Sequence, residues 1–157
     1  MRDPDDQEPL IIAATIILIS KDKKALILKR AANEKRFPNL WTVTGGKLKQ
    51  NDGDEVNGGL YYNAAEFAAC REAQEETGIF WYYIFPRIKY LCSIVAKEAI
   101  TRFIISYYAQ LDCNADELHI KTENGQEYKW ITYDEISKYD FIPDIGGEIR
   151  KVLEMID

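Results

Sequence analysis

The chain contains one histidine and three cysteines among its 157 residues. A single histidine, His119, excludes histidine-rich metal sites and most nucleophile pairs that depend on a histidine base, and we expect it to be an ordinary structural residue. The cysteines Cys70, Cys92 and Cys113 are odd in number, widely spaced and set among apolar neighbours. That pattern is unlike a disulfide framework or a zinc knuckle. We therefore expect a reducing, cytoplasmic compartment.

Long apolar runs and excess positive charge are also lacking. The longest apolar run, Leu10 to Ser20, is far shorter than the roughly 20 residues that span a bilayer, and the acidic segment before it is unlike the basic start of a signal peptide. Twenty Lys and Arg against 26 Asp and Glu give a formal net charge of -6. This balance disfavours a nucleic-acid polymer or a membrane surface as partner. The length predicts a single domain over residues 1–157.

The apolar residues recur in patterns typical of strands and helices. The run from Leu10 to Ser20 is β-branched and continuous, as expected of a strand buried on both faces. The segment from Asn63 to Thr77 is rich in alanine and glutamate, opens at a good cap residue and stops at Gly78, where helices favour glycine. Strands are predicted over 10–20, 25–29, 41–44, 87–95, 102–111 and 128–131, and helices over 63–77, 132–139 and 147–156. This order predicts an α/β fold with a mixed sheet between helices.

Three glutamates, Glu72, Glu75 and Glu76, crowd one face of the predicted helix within little more than one turn. They repel one another, and near a helix C-terminus each exposed acid is disfavoured by about 0.3–1 kcal/mol. Arg71 offsets part of this penalty through an i,i+4 pair with Glu75. A bound divalent cation explains the cluster best, and Mg²⁺ prefers carboxylate oxygens together with the phosphates of a substrate. The competing interpretation is a solvated acidic face, which is commoner for acidic helices in general.

The residues around this cluster resemble those of a known family. The segment from Arg71 to Ile79, Arg-Glu-Ala-Gln-Glu-Glu-Thr-Gly-Ile, is similar to the core of the Nudix box, G-x5-E-x7-R-E-U-x-E-E-x-G-U, where U is bulky and aliphatic. Ala73 is a small stand-in for the first U. Segments that look like those of MutT-like Nudix hydrolases also lie at 28–30, 37–41, 45–47, 127–135 and 139–143. The resemblance spans nearly the whole chain and implies that family's α/β/α sandwich.

The spacing within the box departs from the family pattern. Twenty-four residues separate Gly46 from Arg71, where the pattern has 13. We assign the 11 additional residues to a surface insertion over 49–60. Counting back from Arg71 puts the first glutamate of the box on Asn63, which carries no charge, while Glu66 lies on the wrong face of the helix relative to the other glutamates.

The resemblance implies hydrolysis of a nucleoside diphosphate linked to a further group X. The expected substrate is a (d)NTP or an oxidised (d)NTP, cleaved to the monophosphate and pyrophosphate with Mg²⁺, for which Mn²⁺ can substitute. The implied catalytic residues are Arg71, Glu72, Glu75 and Glu76. The implied metal ligands are Gly46, through its backbone, Glu72, Glu75, Glu76 and a later acid, Glu123 or Glu127, between which the sequence does not choose.

Three further residues are candidates for substrate binding. Arg30 is placed to clamp phosphate oxygens, since a guanidinium binds them bidentately, although it could equally be a solvated charge. Asp144 occupies the loop that reads a purine edge in MutT-like members, and its simpler interpretation is a cap of the final helix. Trp41 is a candidate for stacking on a base, or else an ordinary core residue.

Two other functions fit the same residues. One is hydrolysis of ADP-ribose or a nucleotide sugar. The other is a non-catalytic nucleotide-binding module, favoured by Asn63 and by the insertion, and opposed by the intact glutamate cluster. In each case the expected partner is a small nucleotide, and the expected assembly is a monomer or a simple homodimer.

Overall fold

The computed structural model describes residues 9–156. The predictions for the acidic start of the chain, residues 1–8, fall outside the described residues. The strands are β1 Leu10–Ile19, β2 Ala25–Lys29, β3 Trp41–Thr42, β4 Thr44–Lys47, β5 Asp54–Glu55, β6 Tyr61–Tyr62, β7 Lys89–Ala96, β8 Thr101–Gln110 and β9 Tyr128–Ile131. The helices are α1 Ala64–Thr77, α2 Trp81–Ile84 and α3 Ile145–Met155, with 3-10 turns at Phe85–Arg87, Ala115–Glu117, Glu123–Gly125 and Tyr133–Lys138.

A mixed sheet is built around β1. Along one edge β1 runs parallel to β8, with Ile16 opposite Tyr107, and β7 lies antiparallel beside β8. Along its other edge β1 pairs antiparallel with β4, where Ala14 lies opposite Gly46, and meets β2 at Ile19. Strands β3 and β9 pair with β2. The predicted mixed sheet is therefore confirmed.

Helices cover both faces of this sheet, so it forms the middle layer of an α/β/α sandwich. Successive residues of β1 point to opposite faces, and both sets are buried. Ile16 and Leu18 pack towards the small residues of α1, among them Ala69. Ile17 and Ile19 pack towards α3. The continuous apolar run thus predicted correctly that β1 is buried on both faces.

The bounds of α1 and α3 differ from those predicted. α1 starts at Ala64, because Asn63 has a left-handed backbone (φ 57°) and its side chain makes no capping hydrogen bond. α3 starts at Ile145, two residues before the predicted start. Gly146 and Gly147 fill its first turn, and because glycine is a poor helix former, the sequence pattern did not extend the helix across them. Gly78 ends α1 as predicted, with φ 79° and its N–H donating to the Gln74 carbonyl.

The segment over 49–60 is largely a surface excursion. Its end is an exposed hairpin in which β5 pairs with β6. Asp52 is the exception, because it is buried beside α1. No helix within residues 9–156 is long and apolar enough to cross a membrane.

Candidate active site

A cleft of about 880 Å³ opens beside the sheet and collects most of the predicted site residues. Glutamates of α1 line it next to β4, and the first turn of α3 lines it over β8. Arg36, in the loop between β2 and β3, and Glu98, in the turn between β7 and β8, meet at its rim through two hydrogen bonds of 2.6 and 2.7 Å. The cleft is therefore lined by acidic residues of α1, by the first turn of α3 and by the Arg36–Glu98 pair.

The glutamates of α1 lie directly against β4. The Glu76 carboxylate accepts a hydrogen bond of 3.0 Å from the Gly45 N–H. A Cβ atom on Gly46 would lie 2.3 Å from the carboxyl carbon of Glu72. Only glycine allows β4 to approach this side chain so closely. The glycine pair thus fixes where the glutamates enter the cleft.

The electrostatic environment of Glu76 is unfavourable for a charge. Burial raises its pKa to about 8, against the hydrogen bond from Gly45, and the neighbouring Glu72, Glu123 and Glu75 add to the rise. Burial also raises the pKa of Glu72, although Arg71 opposes it. Four carboxylates thus lie within electrostatic range of one another, and Arg71 and Lys49 oppose the rise at Glu72. The negative charge crowded here favours a nearby cation.

Arg71 ties the glutamates to the insertion. Its Nη1 donates to Glu72 at 2.9 Å and to Glu75 at 3.3 Å, as the i,i+4 spacing predicts for Glu75. Its Nε and Nη2 donate to the two carboxylate oxygens of Asp52, at 2.8 and 3.0 Å. Although burial alone would raise the pKa of Asp52, these bonds and the Lys49 N–H bring it below the usual value. The guanidinium thus holds three carboxylates, and its Nη2 also donates to the Lys47 carbonyl of β4 at 3.2 Å.

Asp52 is a residue that the sequence analysis missed. Five residues separate it from Gly46, which is the spacing of the first acid in the Nudix box. Counting forward from Gly46 would have found it, whereas counting back from Arg71 gave Asn63. The structure therefore corrects the assignment of Asn63, and the 11 additional residues follow Asp52. Asn63 lies in a left-handed conformation that glutamate adopts less readily, so a glutamate there would add strain and no useful charge.

The α1 glutamates, Glu123 and the backbone of β4 suit a divalent cation, both in the chemistry of their donor atoms and in their negative charge. Their donors are carboxylate and backbone oxygens, which Mg²⁺ prefers, and a cation would relieve the penalty on the buried Glu76 carboxylate. Within residues 9–156 no three acidic, histidine or cysteine side chains already stand together as a ready-made ligand set. Binding of an ion would therefore draw the glutamate side chains together.

The other predicted residues divide into two groups. Arg30, Glu123 and Asp144 line the cleft. The Nε of Arg30 donates to the Arg36 carbonyl at 2.8 Å, which holds the start of the rim loop. Asp144 precedes α3 with φ 70°, and its side chain makes no capping hydrogen bond, so the helix-cap interpretation is wrong.

Trp41 and Glu127 lie elsewhere. The Trp41 side chain is buried and packs edge-on against Tyr139, with ring centroids 5.1 Å apart, so its ring does not reach the cleft. Glu127 borders a separate hollow and pairs with Lys29 at 3.8 Å. Of the two later acids, Glu123 is therefore the one near the α1 glutamates, and neither Trp41 nor Glu127 is retained as a site candidate.

An α/β/α sandwich that places a box of acidic residues in a nucleotide-sized cleft defines a class of hydrolases acting on phosphoanhydrides. The NUDIX domain model matches residues 9–153, so the chain belongs to the Nudix family and is a Nudix hydrolase of nucleoside diphosphate-X substrates.

Relatives and solved structures agree with this assignment. An 8-oxo-dGTP diphosphatase of Buchnera aphidicola subsp. Schizaphis graminum is 26% identical over 142 residues, which cover 89% of this chain and 91% of that protein. The MutT protein of Methanosarcina mazei Go1 has a TM-score of 0.67 at 18% identity, covering 94% and 95% of the two chains. A bifunctional NMN adenylyltransferase/ADP ribose pyrophosphatase of Francisella tularensis, complexed with AMP and a Mn ion, has a TM-score of 0.67 at 19% identity, covering 95% of this chain and 42% of that one.

Removing the Asp52 charge tests its contact with Arg71. Asp52→Asn leaves the guanidinium without its buried partner, and breaking such a pair lowers the free energy of unfolding by roughly 3 kcal/mol. Urea denaturation measures the change. Asp54→Asn, two residues along on the exposed hairpin, is the matched control and should change stability by less than about 0.5 kcal/mol. Equal effects of the two variants would contradict the assignment of Asp52.

The high pKa of Glu76 predicts a pH-dependent effect of Mg²⁺ on stability. Between about pH 5 and 8 the unfolded chain ionises this carboxyl while the metal-free folded protein keeps it protonated, so this group makes the folded state less stable as pH rises. An ion that binds the ionised form reverses this loss. Thermal melts should therefore show a larger Mg²⁺-induced rise in Tm at pH 8 than at pH 5.5, and Glu76→Gln should remove most of the difference. An equal rise at both pH values in the parent protein would count against an ion on Glu76.

Proposed function

We propose that this Nudix hydrolase cleaves a nucleoside triphosphate, normal or oxidised at the base, to the monophosphate and pyrophosphate, and that it requires Mg²⁺ or Mn²⁺. The observation that carries the proposal is the buried glutamate cluster at one end of a cleft large enough for a nucleotide. The 8-oxo-dGTP diphosphatase of B. aphidicola supports the choice of substrate, since its similarity covers nine-tenths of either chain.

The electrostatics of the cleft account for the need for a cation. Glu72, Glu75, Glu76 and Glu123 together repel a triphosphate, and Arg71 is occupied by carboxylates. An anionic substrate therefore binds beside the glutamates only when positive charge stands between them. We assign that role to a divalent ion held by Glu72, Glu75, Glu76, Glu123 and the backbone of Gly46.

The bound ion supplies charge neutralisation of the phosphates and a more acidic attacking water. The protein residues position the attacking water and the phosphates. One of the three α1 glutamates accepts a hydrogen bond from the water and so orients it towards phosphorus. Arg71 fixes the carboxylates from behind, while Arg30 at the rim binds phosphate oxygens.

The structure weakens one of the two arguments for a non-catalytic nucleotide-binding module. Such a module was favoured by the uncharged Asn63, but the acid at that place in the box is Asp52. A protein that only binds nucleotides has no need to keep Glu76 buried and close to three other carboxylates. Hydrolysis of ADP-ribose remains the second candidate, because the F. tularensis protein carries an ADP ribose pyrophosphatase in the same fold.

A substrate panel distinguishes these functions. Release of pyrophosphate from dGTP, 8-oxo-dGTP, dATP and dCTP, and of AMP from ADP-ribose, would be measured with Mg²⁺ and again with excess EDTA. We expect pyrophosphate release from triphosphates, and its loss in EDTA. Faster cleavage of ADP-ribose than of every triphosphate would replace the proposal with the second candidate, and absence of any hydrolysis would overturn both.

Substitution of the glutamates separates catalysis from folding. Glu75→Gln and Glu76→Gln should each reduce kcat/KM at least a hundredfold, about 2.7 kcal/mol of transition-state stabilisation. Their Tm values should change little. Glu76→Gln replaces a buried carboxyl that is protonated below about pH 8 in the metal-free protein by a neutral side chain of the same shape. Glu75→Gln removes both the pairing with Arg71 and the repulsion of Glu72. Glu66→Gln on the same helix is the control, since Glu66 faces away and accepts from the Tyr107 hydroxyl, a bond that glutamine keeps. Full activity in the Glu75 and Glu76 variants would disprove the assignment.

A further inference from the structure

The acidic residues that line the cleft away from the α1 glutamates include Glu148 of α3. The strands beneath the cleft lie in the order β4, β1, β8, β7. With about 4.8 Å between neighbouring strands, β7 lies about 14 Å from β4. The Glu148 carboxylate lies over this far side, 3.8 Å from the Cys92 thiol of β7 and beside Ser106 of β8. A nucleotide with its phosphates at the glutamates thus extends its base towards Glu148.

The floor between the two ends is suited to a flat aromatic ring. Ile94 of β7 and Ile104 of β8 face the cleft there, and Ile142 and Pro143 line it from the loop before α3. Apolar side chains above and below bury the faces of a base and leave its edge to be read by polar groups. The polar groups that line this part of the cleft include the Glu148 carboxylate and the Ser106 hydroxyl, which also lies 2.9 Å from the Thr15 hydroxyl.

Glu148 has unused hydrogen-bonding capacity. Burial raises its pKa, and the nearby Asp144 adds to the rise, while Ser106, Cys92 and Lys151 oppose it. No ion pair holds this carboxylate among the described residues. A carboxylate has room for about four donors. The donors that surround Glu148 do not compensate fully for the burial of its charge. A ligand that brings further N–H donors would therefore stabilise the ionised carboxylate.

We propose that Glu148 is a specificity-determining residue that accepts hydrogen bonds from a guanine base. An ionised carboxylate only accepts, and guanine alone among the common bases has two adjacent donors, N1–H and N2–H, on one edge. Asp144, the residue predicted for this task, is exposed, and water competes for its hydrogen bonds. The proposal rests on the proposed function for the position of the nucleotide, and it extends to 8-oxoguanine, which keeps both donors.

Binding of nucleoside monophosphates tests the proposal without hydrolysis. The Kd values of GMP, AMP and CMP would be measured by calorimetry with Mg²⁺ for the parent protein, Glu148→Gln and Asp144→Asn. We expect the parent to prefer GMP. Glu148→Gln should weaken GMP binding about tenfold and improve the relative affinity of AMP, because glutamine presents one donor and one acceptor, as adenine requires. Asp144→Asn should change the ratio of GMP to AMP affinity by less than threefold.

Several results would overturn the proposal. Equal weakening of all three ligands by Glu148→Gln, with or without a fall in Tm, would assign the residue a structural role only. A larger change in the GMP to AMP ratio in Asp144→Asn would transfer base recognition to Asp144. Measuring kcat/KM for dGTP and dATP with the same variants separates the two proposals. If Glu148→Gln hydrolyses both nucleotides with the parent's ratio of kcat/KM values, only the role of Glu148 is refuted. If the parent binds GMP selectively but hydrolyses neither nucleotide, only the proposed function is refuted.

Discussion

The ion-pair network centred on Arg71 is the constraint on which the candidate site depends. One guanidinium contacts Asp52, Glu72 and Glu75 at once, so it connects the segment after β4 to the acidic face of α1. Without it, neighbouring like charges near a helix C-terminus would repel one another. Because Asp52 is buried and accepts hydrogen bonds from Arg71 on both carboxylate oxygens, the guanidinium is held against Glu72 and Glu75 before any ligand arrives.

The same network explains how the box tolerates an insertion. Asp52 keeps its distance from Gly46 along the chain, and the additional residues leave and return as an exposed hairpin between Asp52 and α1. The hairpin lies outside the glycine–glutamate contact between β4 and α1. Length can therefore be added there at the modest entropic cost of a longer loop, without displacing the acids that face the cleft.

The sequence predicted the layers of the fold and the acidic cluster, because both depend on strong local patterns: the apolar run of β1 and the spacing of Glu72, Glu75 and Glu76. It failed where three-dimensional contacts decide the outcome. Asp52 looked like one of several polar loop residues when the box was counted back from Arg71, and its buried contact with Arg71 is what distinguishes it in the structure. Trp41 had the character of a base-stacking residue, but the packing of Tyr139 directs it into the core. The sequence around Glu148 does not indicate a role in binding, because the residues that surround its side chain come from β7, β8 and α3.

A crystal structure of the protein soaked with Mn²⁺ and a non-hydrolysable dGTP analogue would show whether a divalent ion joins the α1 glutamates to the phosphates. Anomalous scattering locates the ion independently of any assumption about the site. We expect a Mn²⁺ peak in contact with the carboxylates of Glu72 and Glu76 and with the phosphates of the analogue. A fully occupied peak elsewhere, for example beside Glu127, or an analogue bound with no ion at the α1 glutamates, would contradict this expectation.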